Sequence, residues 1–317
     1  MKRATRERLI STYSIVARDP DSGEIGIGVQ THQMGVGWMV PWLLPGIGAV
    51  ATQSWVNISF GPMGLAMLKE GVTADRVVSG LIGGDDRPEV RQLAVVDPAG
   101  NAAAWTGKGC IPEAGHYIGD GYSVQANMMD RHSVIPAMQL AYEGSSGRLA
   151  DRIMLALEAA EAEGGDIRGM QSASLTIIEG DPVKALEVND WEKIYDLRVD
   201  EHPRPLEKLR RLVRLRNSQL ISENGEKAIE DGDLDLGLGL FQEARELAPE
   251  LEENGFWQAI TLADKYGELG AAAAILSEVF RNDARQSQWM DLINRLERCG
   301  IIETEGLAEK LIAAVKF

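Results

Sequence analysis

Ser11-Thr12-Tyr13-Ser14-Ile15-Val16-Ala17-Arg18-Asp19 opens a β-rich run with hydroxyls on alternate positions. Beyond Pro20-Asp21-Ser22 the chain returns as Gly23-Glu24-Ile25-Gly26-Ile27-Gly28-Val29-Gln30. Pro, Asp and Gly between the two runs supply turn chemistry, so a hairpin is expected, with strands over Tyr13 to Ala17 and Glu24 to Gln30. A hydroxyl at the head of a buried strand is how a chain presents an N-terminal nucleophile. Thr12 is the candidate, and Ser14 shares its strand face two residues on. Eleven residues precede Thr12, forming a leader over 1–11, and none of them is expected to be needed by a strand.

Outward from this hairpin, paired strands and helices continue to about residue 200. Gly46 to Ser54 reads as a strand rich in small residues, where backbones come close. Helical patterning follows at Met63 to Lys69 and, with Thr73 as N-cap, at Thr73 to Leu81. Arg91 to Asp97 and Asn101 to Thr106 form a hairpin about Pro98-Ala99-Gly100. A strand over Tyr122 to Asn127 precedes helices at Ser133 to Tyr142 and Leu149 to Glu163, the second with Leu149, Ile153, Leu157 and Ala160 on one face. Strands at Ser172 to Ile178 and Ile194 to Val199 close the region. Runs of paired strands broken by pairs of helices suit an α+β protein with two antiparallel sheets stacked face to face and helices outside, a four-layer αββα sandwich.

Asp200-Glu201-His202-Pro203-Arg204-Pro205 marks a boundary. The expected domains are 12–202 and 206–317, the second a small all-α helical domain. There Gly225, Gly237, Phe241, Ala244 and Pro249 stand at tetratricopeptide spacings, and Ala259 and Ala271 recur 34 positions after the two glycines. A generic stack of helical hairpins is the alternative.

The 317 residues are enough for two domains with a sizeable core. The net charge is −16, shared as −9 over residues 1–204 and −7 over 205–317. That balance argues against nucleic acid as a partner, which needs clustered cations to replace its counterions. Cys110 and Cys299 fall in different domains and read as reduced thiols. Met1-Lys2-Arg3 starts like a signal peptide, but no continuous apolar stretch follows, and no window approaches a membrane span. A cytoplasmic protein is expected.

The region from Thr12 to about His202 resembles the bacterial and archaeal family catalogued as domain of unknown function 1028. The likeness rests on Thr12 to Asp19, Gly46 to Ser54, Arg91-Gln92, Thr106-Gly107 with Cys110, and Ala114-Gly115-His116. It continues in Gly164-Gly165-Asp166 with Arg168-Gly169, in Gln171-Ser172-Ala173, and in Asp196 to Asp200. It implies a fold of the N-terminal-nucleophile hydrolase type and a hydrolase site, but no substrate. In such a site one residue acts twice: its hydroxyl attacks a carbonyl while its free α-amine, of pKa roughly 8, takes the proton. No methionine lies between Met1 and Met34, so a Thr12 start requires cleavage of the Ser11–Thr12 bond.

Thr12, Ser14, Asn57 and Asn127 are the candidate catalytic residues, the amides as oxyanion or substrate contacts. Gln53 and Gln125 are amides in apolar strands, either satisfied in the core or aimed into a cleft. Arg91 binds a substrate carboxylate or pairs on the surface with Glu89 or Asp86. His32, in a Gly-rich loop, and His116 complete the substrate-binding candidates. These two histidines lie too far apart in sequence for a zinc motif, Gly35 and Gly37 lack a phosphate loop's Lys-Ser/Thr, and no metal or cofactor is expected. Asp196, Asp200 and His202 read as solvated edge residues, and Cys110 as a buried or incidental thiol. Trp38 to Leu44 is an apolar run in a loop position, read as a lid or an oligomer contact.

The primary expectation is a hydrolase of an amide or related C–N bond in a small polar molecule. Its rival is a non-catalytic scaffold docking protein partners through the helical tail. A proteasome-type peptidase is weaker, and a homo-oligomer without membrane or nucleic-acid contact is expected in either main case.

Overall fold

The computed structural model describes residues 8–317, so residues 1–7 of the expected leader lie outside it. Period-two alternation pairs the opening run as expected. β2 (Thr12–Arg18) and β3 (Ile25–Thr31) form the antiparallel hairpin. They are central in a six-stranded sheet, flanked by β10 (Ser172–Ile178) and β11 (Tyr195–Val199) on one side and by β9 (Tyr122–Asn127) and β8 (Gly115–Gly119) on the other. A second antiparallel sheet runs β1 (Arg8–Ile10), β5 (Gly48–Val56), β6 (Arg91–Val96), β7 (Ala102–Thr106), with β4 (Pro41–Leu44) also on β5.

Side-chain alternation decides what each sheet face meets. Val16, Ile27 and Val29 project from the first sheet and Ala49, Ala51, Ala94 and Val96 from the second, forming one core between the sheets. Ala49 and Ala51 are among the small residues of the Gly46 to Ser54 run, and with Ala94 of the neighbouring strand they let the sheets approach. On the far face of the second sheet, Val50, Leu93 and Val95 pack against α1 (Phe60–Lys69) and α2 (Ala74–Gly83). On the far face of the first, α3 (Val134–Glu143) and α4 (Leu149–Ala162) lie against the strands. Leu149, Ile153, Leu157 and Ala160 are all buried there, as the helical spacing predicts. Gly26 and Gly28 make room for α4, since a Cβ on Gly28 would stand 2.3 Å from Ile153.

Three short strands depart from the sequence reading. Arg8–Ile10, expected to be idle, pairs with Trp55 and Ser54 of β5, and Ile10 is fully buried in the inter-sheet core. Pro41–Leu44 is not a lid: β4 pairs with β5, and Met39 and Val40 are core residues. Trp42 packs beneath α1 and donates its indole N–H to the Met39 carbonyl at 3.1 Å. β8 forms the edge beside β9.

The chain divides into two compact units, 1–213 and 214–317, and the division falls inside α5 (Pro205–Glu230). The first turns of α5 belong to the first unit because Leu206, Leu209 and Val213 are buried. Arg210 also forms ion pairs there with Glu158 and Asp151. The second unit contains the rest of α5 and α6 (Leu234–Leu247), α7 (Glu252–Tyr266), α8 (Leu269–Val279), α9 (Gln286–Arg298) and α10 (Leu307–Ala314). Within it Gly225 and Gly237 stand against each other: a Cβ on Gly237 would lie 2.9 Å from the Gly225 carbonyl oxygen. No helix among the described residues is long and apolar enough to cross a membrane.

Gly61 tests the placement of Trp42. A Cβ there would stand 2.2 Å from the indole, so Gly61→Ala is expected to destabilise the first unit by about 1–3 kcal/mol. A denaturant titration following tryptophan fluorescence measures it.

Candidate active site

The strand register assembles the site before any side chain is considered. Thr12 stands opposite Thr31 on one side and Asn127 on the other, and Ser172 stands opposite Thr31 in turn. Directly opposed residues share a face, so Ser172, Thr31, Thr12 and Asn127 form one row facing the second sheet. The next row toward the core carries Ser14 and Gln125, with His116 opposite Gln125. From the second sheet Gln53 and Gln92, themselves register partners, face them. The inter-sheet core is thus aliphatic at one end and amide- and hydroxyl-rich at the other.

These groups satisfy one another. Ser14 donates to Gln53 Oε1 at 2.6 Å and accepts from Gln125 Nε2 at 2.6 Å. Gln53 Nε2 donates to Gln92 Oε1 at 2.8 Å and to the Thr12 carbonyl at 3.3 Å. Gln92 Oε1 also accepts from Asn127 Nδ2 at 2.8 Å. Gln92 Nε2 donates to Thr106 Oγ1 and to the carbonyls of Gly115 and Ala126 at 2.9–3.0 Å. His116 Nδ1 lies 2.9 Å from Thr106 Oγ1, and partial burial lowers its pKa. Ser14, Gln53, Gln125, Asn127 and His116 are therefore brought together, with Gln92 as the hub.

Thr12 stands outside that pairing. Its side chain is fully buried and Oγ1 has no hydrogen-bond partner, as is also true of Asn127 Oδ1. A buried polar atom left so costs about 1–3 kcal/mol. Ser14, by contrast, both donates and accepts, so its hydroxyl is committed. Backbone strain flanks the row: Ser54 and Met128 have φ of 66° and 60°, rare for residues with a Cβ.

The remaining candidates lie elsewhere. Asn57 donates to Asp85 Oδ2 at 3.0 Å and caps a turn by accepting from Ser59 N–H. Arg91 is buried, not on the surface, and its partners include Asp85 at 3.0 Å and the Trp55 carbonyl at 2.6 Å. Burial works to raise the Asp85 pKa, but the Arg87 N–H, Asn57 and Arg91 together hold it below the usual value. His32 is exposed beyond β3, its backbone N–H directed to Asp166. Cys110 is buried and its pKa is raised by that burial. Among the described residues no cluster of metal-ligating side chains occurs.

Three groups beside Thr12 escaped the sequence reading as site residues. Gln92 reads as an ordinary strand residue, although its period-two alternation with Ala94 and Val96 aims it inward. Thr31 ends β3, and Arg168 lies in the glycine-punctuated turn after α4. On the opposite face of the same strand, Tyr13 donates to Glu161 at 2.9 Å, and burial raises the pKa of both groups.

A mixed α+β domain with a polar core between two antiparallel sheets is the class of protein these residues define. A family model described as a family of unknown function, DUF1028, matches residues 12–209, and the chain belongs to that family. The crystal structure of protein SPO2555 from Silicibacter pomeroyi, of the same family, is similar at 30% identity with a TM-score of 0.57, over 64% of this chain and 84% of that one. No curated protein matches the chain.

Two measurements test this geometry. Gln92→Leu deprives Asn127 Nδ2 of its acceptor and is expected to cost about 1–3 kcal/mol in a denaturant titration. Glu161, with a folded pKa above its ordinary 4.5, favours folding when protonated, and that contribution is lost as pH rises through the folded value. Glu161→Gln keeps an acceptor for Tyr13 without the charge. Its melting temperature relative to the parent chain is expected to be highest near neutral pH and to fall back on acidification.

Proposed function

We propose that this protein is a hydrolase of the N-terminal-nucleophile type, acting on an amide or related C–N bond in a small polar molecule with Thr12 as nucleophile. The observation that carries the reading is the unpartnered, fully buried Thr12 hydroxyl at the head of a central strand, beside a network that engages Ser14, Gln53, Gln92 and Gln125. Stability alone gives no reason to hold it so, whereas a nucleophile must keep its lone pairs free. The layer order of α1 and α2, two facing sheets, then α3 and α4 supports the four-layer αββα sandwich of that type, with Thr12 at the head of a central strand.

Residues up to Ser11 must be removed for the mechanism to run. While the Ser11–Thr12 bond is intact, the Thr12 nitrogen is a peptide nitrogen and no base. Cutting it yields an amine of pKa roughly 8, able to take the hydroxyl proton during attack. Departure of Ile10 and Ser11, both fully buried, opens the row of Thr31, Thr12 and Asn127 to a ligand of about their size. Gln53, Gln125 and Gln92 hold Ser14 and Asn127 in place and offer amides to a polar substrate.

A second reading, a binding protein without catalysis, is favoured by the pairing of β1 with β5, which integrates the preceding segment into a sheet. In either case the second unit is proposed as a tetratricopeptide-like module for a protein partner. The Gly225–Gly237 approach and the burial of Phe241 and Ala244 support it.

Intact-mass measurement on the purified protein separates the two readings. The hydrolase is expected to begin at Thr12, and Thr12→Ala to retain Ser11 and abolish turnover of amide substrates. A parent chain that keeps Ser11 while hydrolysing substrate would overturn the free-amine mechanism.

A further inference from the structure

The carbonyl that must be attacked to release Thr12 is already gripped. Ser11 O accepts hydrogen bonds from two side chains, Thr31 Oγ1 and Arg168 Nη2, the latter at 3.3 Å. Thr31 is fully buried and spends its single hydroxyl proton on this contact. Arg168 is fixed by Asp166, whose side chain is fully buried. Nε donates to Oδ1 at 3.0 Å and Nη2 to Oδ2 at 2.7 Å, the two-pronged pairing that sets a guanidinium's plane. The Arg168 backbone N–H, at 3.0 Å from Oδ1, and the His32 N–H orient that carboxylate in turn. Of the two Nη2 hydrogens, one goes to Asp166 and the other to Ser11 O.

An ordinary buried carbonyl needs one donor. This one receives two, one of them cationic, on the residue preceding an unpartnered hydroxyl. We infer that Arg168 and Thr31 are the oxyanion donors for self-cleavage of the Ser11–Thr12 bond, and that Asp166 is the residue positioning Arg168. The inference rests on the reading of Thr12 as nucleophile. Thr12 Oγ1 adds to the Ser11 carbonyl carbon through a five-membered ring, and the carbonyl π pair moves onto Ser11 O. The growing negative charge falls between the guanidinium and the Thr31 hydroxyl, which are already in place and need not reorganise. The hydroxyl proton ends on the Thr12 nitrogen, the C–N bond breaks, and an ester joins Ser11 to Oγ1. Water hydrolyses that ester, giving a Ser11 carboxylate, a free Thr12 hydroxyl and the α-amine.

The same assignment extends to the substrate. The acyl group on Oγ1 during self-cleavage occupies the place a substrate's acyl group takes afterwards, so its carbonyl oxygen falls to the same pair.

The test follows the rate of Ser11–Thr12 scission by mass spectrometry in freshly translated full-length chain. Arg168→Ala and Thr31→Val are each expected to slow it by about 10²-fold or more. Arg168→Lys and Thr31→Ser, which keep a donor, should be intermediate, and Asp166→Asn should be slowed while Arg168 remains present. Added guanidinium chloride at millimolar concentration should speed scission in Arg168→Ala and not in Thr31→Val, an effect that a purely structural arginine would not produce. Scission at the parent rate in Arg168→Ala and Thr31→Val would overturn the assignment and leave Thr12 as nucleophile. Loss without guanidinium rescue, in a variant that melts like the parent, would overturn the role of Arg168. A parent chain that is never cut removes the underlying reading itself.

Discussion

The paired amides Gln53 and Gln92, locked at 2.8 Å between two sheets, are the contact on which the rest of the molecule depends. Buried amides must find partners for every donor or pay for the loss, and here the partners come from three strands of one sheet and three of the other. Gln92 alone reaches Thr106, Gly115, Ala126, Gln53 and Asn127. Aliphatic packing tolerates small slides between sheets; this arrangement does not. A one-residue shift in any participating strand would turn its polar groups to the opposite face. The apolar end of the core supplies burial, and the polar end supplies alignment.

That alignment is what makes the unpartnered Thr12 hydroxyl meaningful. In a loosely packed interior, Thr12 Oγ1 would turn toward a neighbour. Here Ser14 and Gln125 are engaged with each other, and Asn127 Nδ2 is held by Gln92. The network fixes the surroundings and leaves Thr12 Oγ1 outside its pairing, directly beside the carbonyl that Thr31 and Arg168 hold.

Much of this was legible in the sequence, for reasons that differ by residue. The hairpin of β2 and β3 follows from alternation and turn residues, and α4 from its spaced apolar face. Both signals are local and periodic. β1, β4 and β8 were missed because three to five residues give alternation too little length, and each lies at a sheet edge where polar and apolar residues mix. Arg91 illustrates a second limit: Asp85, Asp86 and Glu89 are equally near in sequence, and only the fold of the intervening loop selects Asp85. Asn57 is a third case, its amide drawn to that same carboxylate. Asp166 and Arg168 were visible only as members of a glycine-rich motif. Their chemistry depends on a turn that carries them to Ser11, more than 150 positions away.

The pairing of β1 with β5 separates two events that a cleavage reaction is often assumed to join. Breaking the bond after Ser11 would not dissolve the ladder between Arg8–Ile10 and Ser54–Val56, nor expel Ile10 from the interior. On the hydrolase reading proposed above, the severed peptide would stay as a resident strand and cover the Thr12 row until it dissociates. Once gone, it would leave Ser54–Val56, the end of β5, as a bare edge whose backbone groups fit any extended chain. The rate at which that strand exchanges, rather than the chemistry at Thr12, would then govern when the protein becomes competent.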